Sequence, residues 1–347
     1  WLPNAMAAPT PVSAFLHSAT MVKAGVFLLA RLRPTLESQP EWGPALSMMG
    51  GATVLTALIL VFWHRDLKKL LAYTTIGALG MLIFLLGLSG DTGKMGEYAQ
   101  KAFVALLVGH ALYKGAFFLI AGLMDKATGS RDALEITGLG RSHPMLAFVA
   151  GLAALSSVGL VGFLGFQGKE YALLAGTGNL LALAVVATFA IGGGLVATRL
   201  AVIPFWTGPV SHPEAKPLPW ITLLAPGTLA IAGLGLGLGI GTFGPQILNP
   251  AAQSIGTVAN WDWIVFPGFN WAFFTGLALA LLSIGVGWVW RPQAFAPFPT
   301  LNDRWHTLIA QIPALAAIPS RWFHAGLRSH YYAMFFGMIT ATKQLEM

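Results

Sequence analysis

Three lysines stand where apolar sequence runs on both sides: Lys23 in TMVKAG, Lys114 in GHALYKGAFF and Lys169 in GKEYALL. A lysine at the centre of a membrane helix costs about 2.5 to 3.5 kcal/mol on insertion scales, so three unrelieved ones amount to roughly 9 kcal/mol. An amine kept from water, with another cation near, gives up its proton more readily than a solvated one, which is the property a proton relay needs. His110 precedes Lys114 by four residues, so both share a helix face and the imidazole can pass a proton toward the amine directly or through water. His17 and Lys23 are six apart, about 9 Å of rise and roughly 120° around the axis, and cannot touch in a regular helix. Each is expected to meet a neighbouring helix. Glu170 follows Lys169 directly and points about 100° away from it, so its carboxylate is expected to pair elsewhere. It is the only acid well inside an apolar run.

Structural roles compete with the relay. An intramembrane lysine can pair with a carbonyl or snorkel to the surface, and a lone His17 can be a satisfied polar residue. Lys68 and Lys69 open an apolar run, where contact with lipid headgroups is the plain reading. Arg199 is expected to snorkel. His64, His143, His212, His306, His324 and His330 lack metal-ligand spacing and receive no role.

The elements that carry these groups follow from composition. Of 347 residues, 56% are hydrophobic and 10% charged, against about 25% charged in soluble chains. Such a chain has the bilayer as its solvent. With no cysteine, disulfides, thiolate metal sites, iron–sulfur clusters and cysteine nucleophiles are excluded together, and no cofactor or metal is expected. The chain opens at Trp1 without an initiator Met, basic leader or cleavage motif, and is expected to be part of a longer polypeptide.

Apolar runs of about 20 residues, enough for roughly 30 Å of hydrocarbon, recur throughout. Spans are placed at 11–30, 44–63, 68–89, 100–122, 144–177, 179–203, 219–241 and 266–290. All are helices, since lipid offers no hydrogen-bond partners. The run 144–177 would make a straight helix of about 51 Å, too long for the core. Gly159, Gly162, Gly165 and Gly168 recur every third residue there, so an unwound segment is expected just before Lys169. The fold class is all-α, a polytopic transmembrane bundle with at least one broken helix.

Residues 1–290 form this bundle. In 291–320, Leu301, Trp305, Leu308, Ile312 and Leu315 draw an apolar stripe that reads as an interfacial segment, kinked at Pro313; 321–347 hold a ninth, incomplete span. The alternating Gly233, Gly235, Gly237 and Gly239 read as close helix packing. Sorted by loop, twelve basic residues (including Arg65, Lys68, Lys126, Arg131 and Lys216) fall on one side. Five fall on the other: Arg31, Arg33, Lys94, Lys101 and Lys343. Lysine and arginine accumulate in cytoplasmic loops, so the first side is cytoplasmic. The net charge of +7 then reflects loops and buried lysines, and nucleic acid is not an expected partner.

Four stretches carry a resemblance. WLPNAMAAPTPVSAFLHSATMVKAGVFLLARL at 1–32, DLKKLLAYTTIGALG at 66–80, HALYKGAFFL at 110–119 and GFLGFQGKEYALL at 162–174 resemble, in that order, the MrpA/NuoL antiporter-like subunits of Mrp antiporters and respiratory complex I. Together they reach across about half the chain. The resemblance implies that His17, Lys68, Lys114 with His110, and Lys169 on a broken helix are proton-relay members. Lys23 and GKE in place of SKD at 168–170 lean toward the Mrp form. A Pro-Pro break would match the family at 161–166, where only glycines stand. The family's Glu/Lys pair on preceding helices has no counterpart here, so it is expected from another chain or from residues outside this sequence.

The resulting expectation is a multi-pass subunit of a Mrp-type monovalent cation/proton antiporter in a bacterial inner membrane. Its partners would be other Mrp subunits, lipid, protons and a cation such as sodium, with the relay running through His17, Lys23, Lys68, His110, Lys114, Lys169 and Glu170. Sodium wants oxygen ligands and is repelled by ammonium groups, so its site is expected in a partner. One rival couples the same relay to a complex I or hydrogenase assembly, the only setting in which an enzymatic role arises. Another makes the chain a structural scaffold.

Overall fold

Backbone groups in apolar surroundings can bond only to one another within a segment, so each long apolar run closes into a helix. The computed structural model describes residues 2–90, 93–255 and 260–289, with helices and no strand among the described residues. The interfacial segment and ninth span expected over 291–347 lie outside them.

In chain order the helices are α1 Thr10–Ser18, α2 Ala24–Leu36, α3 Trp42–Trp63, α4 Leu67–Leu88, α5 Lys94–Thr128, α6 Pro144–Val158, α7 Leu164–Ala175, α8 Leu180–Ala197, α9 Ile203–Trp206, α10 Leu224–Leu238, α11 Ile240–Phe243, α12 Asn249–Gln253 and α13 Trp271–Val289. Among the described residues, seven stretches are long and apolar enough to cross a membrane, and α6 is a shorter apolar helix. The chain is therefore a multi-pass membrane protein. Phe15, Phe27, Leu28, Met48, Ile59 and Leu281 lie on its outside, where lipid rather than water suits them.

The central element is α5, whose 35 residues span about 52 Å. It packs against α1, α4, α6, α7 and α10 and carries His110 and Lys114 on its buried faces. Helix α5 ends at Gly129, whose φ of 73° is the left-handed conformation glycine adopts without a Cβ penalty. Helix α4 starts on Asp66, whose carboxylate accepts from the Lys69 N–H at 3.0 Å, an N-cap that satisfies an otherwise orphan donor.

The loops before α4 and after α5 are strapped together. Asp66 and Asp132 form an antiparallel bridge, Arg65 pairs with Asp132 at 2.8 Å and Arg131 with Asp66 at 3.4 Å. The Lys216 N–H donates to the Ala127 carbonyl and the Thr137 hydroxyl to the Pro209 carbonyl. Arg65, Lys126, Arg131 and Lys216 thus share one face, as the loop sort expects.

The long run 144–177 is broken, as its length requires. The break covers 159–163, with Gly159 and Gly162 at φ of 75° and 90°. Glycine alone relaxes the backbone here, with no proline needed. Unwinding does not extend to Gly165 and Gly168, which sit inside α7. Their service is close approach: a Cβ on Gly165 would strike the Ser156 carbonyl, and one on Gly168 the backbone of Leu106 on α5. Of the alternating glycines on α10, Gly237 presses on the same break at Gly162 and Leu164, while Gly235 faces open space.

The first expected span is present as Thr10–Leu36, but its helix is interrupted: α1 stops at Ser18 and a 3-10 turn, Met21–Lys23, leads into α2. The interruption falls within SATMVK, residues 18–23. Arg199 does not snorkel. It is fully buried in a π-helical segment, Thr198–Val202, and its guanidinium donates to the carbonyls of Val61 and His64 at 3.2 Å each. Both carbonyls lie at the end of α3, where Val61 otherwise accepts from the His64 N–H at a long 3.4 Å, so the cation adds a cap from across the bundle.

Candidate buried ionisable row

The break between α1 and α2 turns Lys23 inward. Its ammonium donates to the Leu107 carbonyl of α5 at 2.7 Å. His17, on α1, is buried against Phe118 of α5, ring centroids 6.1 Å apart. Each thus meets a neighbouring helix rather than the other.

His110 and Lys114 lie on adjacent turns of α5, 1% and 2% exposed. The imidazole is within electrostatic reach of both Lys23 and Lys114 and is approached by the Ser18 backbone, short of ordinary hydrogen-bond geometry. Tyr113 stands edge-on to it at 5.4 Å. The Lys114 ammonium donates to the Thr74 hydroxyl of α4, so the intrahelical pair is flanked by a third polar group. The Thr74 hydroxyl donates in turn to the carbonyls of Leu70 and Leu71 at 2.9 and 3.2 Å.

Lys169, on α7, donates to the Val158 carbonyl at the end of α6. Breaking the helix frees that carbonyl, and the lysine eleven residues later claims it. The ammonium rests against Gly159, where a Cβ would lie 3.2 Å from Nζ. Lys114 and Lys169 line one narrow cavity between α3, α4, α5 and α8, together with Thr74, Tyr113, Ser157 and Thr188. Lys169 also lines a second cavity against α13, shared with Glu170 and open to the outside beside Leu155, Leu160 and Leu281. It is therefore common to both cavities.

Glu170 is 2% exposed and turns toward the Asn270 amide that precedes α13, so it pairs away from Lys169. Among the described residues, its Oε1 and the hydroxyls of Ser13 and Ser156 have no hydrogen-bond partner. Buried polar atoms of this kind call for solvent, although both cavities are lined mainly by apolar side chains.

Lys68 is placed apart from this row, at the loop face. It is 4% exposed, donates to the Ala8 carbonyl at 3.1 Å and has Asp125, Asp66 and Arg131 as charged neighbours. Headgroup contact does not describe it.

Three groups escaped the sequence reading. Thr74 is a hydroxyl inside an apolar run, and the doublet in AYTTIG was its only signal. Arg33, sorted to a loop, is 4% exposed in the last turn of α2, paired with Glu37 at 2.8 Å. Lys101 was sorted to a loop too, but α5 begins at Lys94 and carries it inside at 7% exposure, paired with Glu97 at 2.8 Å. The i,i+4 spacing of Glu97 and Lys101 was the available sign.

Fold and site together define a class: a polytopic all-helical membrane protein whose described interior holds imidazoles, amines and a carboxylate, with two cavities that meet at a broken helix. Residues 1–195 match the model of the NADH:quinone oxidoreductase/Mrp antiporter transmembrane family, and the chain belongs to that family. It is 35% identical over 312 residues to the A1 subunit of the Na(+)/H(+) antiporter of Staphylococcus aureus strain JH9, covering 82% of this chain and 38% of that relative. The chain thus spans well under half the length of such relatives. Among solved structures, a chain of the Mrp complex from Dietzia sp. DQ12-45-1b matches with a TM-score of 0.74 and 32% identity, over 92% of this chain and 36% of that one. Respiratory complex I from Thermus thermophilus matches with a TM-score of 0.60 and 25% identity, over 74% of this chain and 55% of the other.

Proposed function

We propose that this chain forms the proton-conducting part of the large antiporter-like subunit of a Mrp-type Na+/H+ antiporter, working with other Mrp subunits in a bacterial inner membrane. Protons pass along Lys23, His110 and Lys114, cross the first cavity to Lys169, and reach Glu170 through the second. His17 and Lys68 feed the row from the loop face, which the positive-inside rule makes cytoplasmic. The single observation that carries this reading is that Lys169 belongs to two cavities, one holding Lys114 and the other Glu170.

Magnitudes support it. Moving one charge through the full membrane potential is worth about 2.3 kcal/mol per 100 mV, similar to the cost of embedding one lysine, so small local changes suffice to gate transfer. Sodium finds one buried carboxylate among several amines here, a poor oxygen cage, and its site belongs in a partner subunit. The complex I-like reading keeps the same row. The lower identity to complex I, 25% against 32% for the Mrp complex, favours the antiporter.

The test is sodium-driven proton movement in vesicles holding the whole assembled complex. Lys114→Ala is expected to abolish it while the subunits still co-purify. Retained antiport with normal assembly would make the chain a scaffold, and flavin or iron–sulfur subunits in the purified assembly would favour the complex I-like setting.

A further inference from the structure

The proton row stops at Glu170, which is buried, and the face opposite the Arg65 and Arg131 loops lies beyond it. Helix α5 starts on that face, and the next residue of α7, Tyr171, reaches toward it. The Tyr171 phenol has Tyr98, Glu97 and Glu170 within electrostatic reach, and the Lys101 ammonium lies 5.2 Å from its ring centroid; these are the ionisable groups that face it. Tyr98 stacks on the Tyr171 ring at 5.9 Å. Glu97 differs from every member of the row in meeting the exterior, its side chain 40% exposed.

What holds Glu97 in place is Lys101. Its ammonium binds the Glu97 carboxylate at 2.8 Å and is enclosed by three aromatic rings: Tyr171 at 5.2 Å, Trp261 at 5.7 Å and Trp263 at 6.0 Å. Ring faces attract a cation and hold it without supplying a proton acceptor that would neutralise it. The cage is itself fixed. The Trp263 indole donates to the Asn249 side-chain oxygen at 2.8 Å, and the Asn249 amide donates to the Trp261 carbonyl at 3.0 Å. A lysine carried two turns into a membrane helix, paired and caged in this way, is a costly arrangement for a purely structural end.

We propose that Glu97 is the outlet of the proton row, reached from Glu170 by way of the Tyr171 hydroxyl and held by the caged Lys101 as its positioning residue. The inference rests on the relay reading above. A proton leaves the Glu170 carboxyl, which becomes carboxylate. The Tyr171 hydroxyl, or water bonded to it, takes that proton and gives one up to the Glu97 carboxylate. Glu97, now neutral, loosens its bond to Lys101, releases the proton to water on its face as hydronium, and the ion pair closes again. No net charge stays in the cage.

Vesicles holding the assembled complex test this with Glu97→Gln, Glu97→Asp and Tyr171→Phe, beside Lys114→Ala. Glu97→Gln is expected to slow sodium-driven proton movement about a hundredfold, the scale of losing a positioned acid–base group. It should also remove the dependence of the rate on pH at that face alone, a change that a structural defect would not produce. Glu97→Asp retains a titrating group and should restore much of the rate. Tyr171→Phe keeps the ring over Lys101 and should still slow transport. Parental rates and pH profiles in Glu97→Gln and Tyr171→Phe, with Lys114→Ala inactive, would overturn the outlet and leave the relay standing. A fully active Lys114→Ala would overturn the relay on which it rests.

Discussion

Lys114 on α5 and Lys169 on α7 open onto one cavity, and each is tethered at its rim by a neutral oxygen: the Thr74 hydroxyl for the first, the Val158 carbonyl for the second. Neither amine is locked to a carboxylate. A neutral acceptor orients an ammonium without fixing its charge, which leaves the proton free to move.

Removing the orienting oxygen should therefore matter. Thr74→Val keeps the volume but takes away the acceptor, leaving the Lys114 ammonium without it; the cost of an unmet polar group is about 1 to 3 kcal/mol. Transport is expected to fall with the complex still assembled, and Thr74→Ser should restore it. The measurement is sodium-driven proton flux in vesicles beside the yield of intact complex.

Arg199 is predicted to be a stability residue. Arg199→Met leaves the Val61 and His64 carbonyls without their guanidinium donor, at about 1 to 3 kcal/mol for each lost charged bond. The detergent-solubilised protein should melt at lower temperature, as read by thermal shift. An unchanged melting temperature would show that the end of α3 needs no such cap.

The break before Lys169 has a sharp test as well. Gly159→Ala puts a Cβ at a φ of 75° and 3.2 Å from the lysine Nζ, with a backbone penalty of about 1 to 2 kcal/mol. Both stability and transport should drop, whereas Gly151→Ala, which meets open space, should leave both unchanged.

His64 gives a pH dependence outside the spans. Burial is the main cause that lowers its pKa, aided by Lys69 and opposed by the Leu60 carbonyl and by Asp66; the Leu60 contact is 2.6 Å. A depressed value in the folded state means that the unfolded chain binds the proton more readily. The stability involved is thus fully present above the ordinary histidine value of about 6.5 and is lost as pH falls below it. Melting temperature should decline as pH drops through that range, and His64→Gln should flatten the decline.

Most of the architecture was legible because apolar run length sets helix number directly, and a run too long for the bilayer has to break. Glycine spacing located that break to within a few residues. The break after α1 was hidden because it lies within a run of ordinary length and Ala19 and Thr20 carry no strong helix-breaking signature. Lys114 and Lys169 announced themselves by their cost in lipid. Lys101 did not, since its burial depends on where α5 begins and on aromatic rings from Tyr171, Trp261 and Trp263 that only the fold brings to it. Arg199 misled for a related reason: one charge near a span end reads as snorkelling until carbonyls from another helix are found beneath it.

Whether Lys114 and Lys169 act in series is tested most directly by a double-mutant cycle on proton flux through the assembled complex. Lys114→Ala, Lys169→Ala and the double variant are compared at equal amounts of intact complex. One continuous path predicts that each single variant is blocked and that the double is no slower than either, because a chain cut once carries nothing more when cut again. Losses that multiply in the double variant, or flux that survives in either single one, would contradict it.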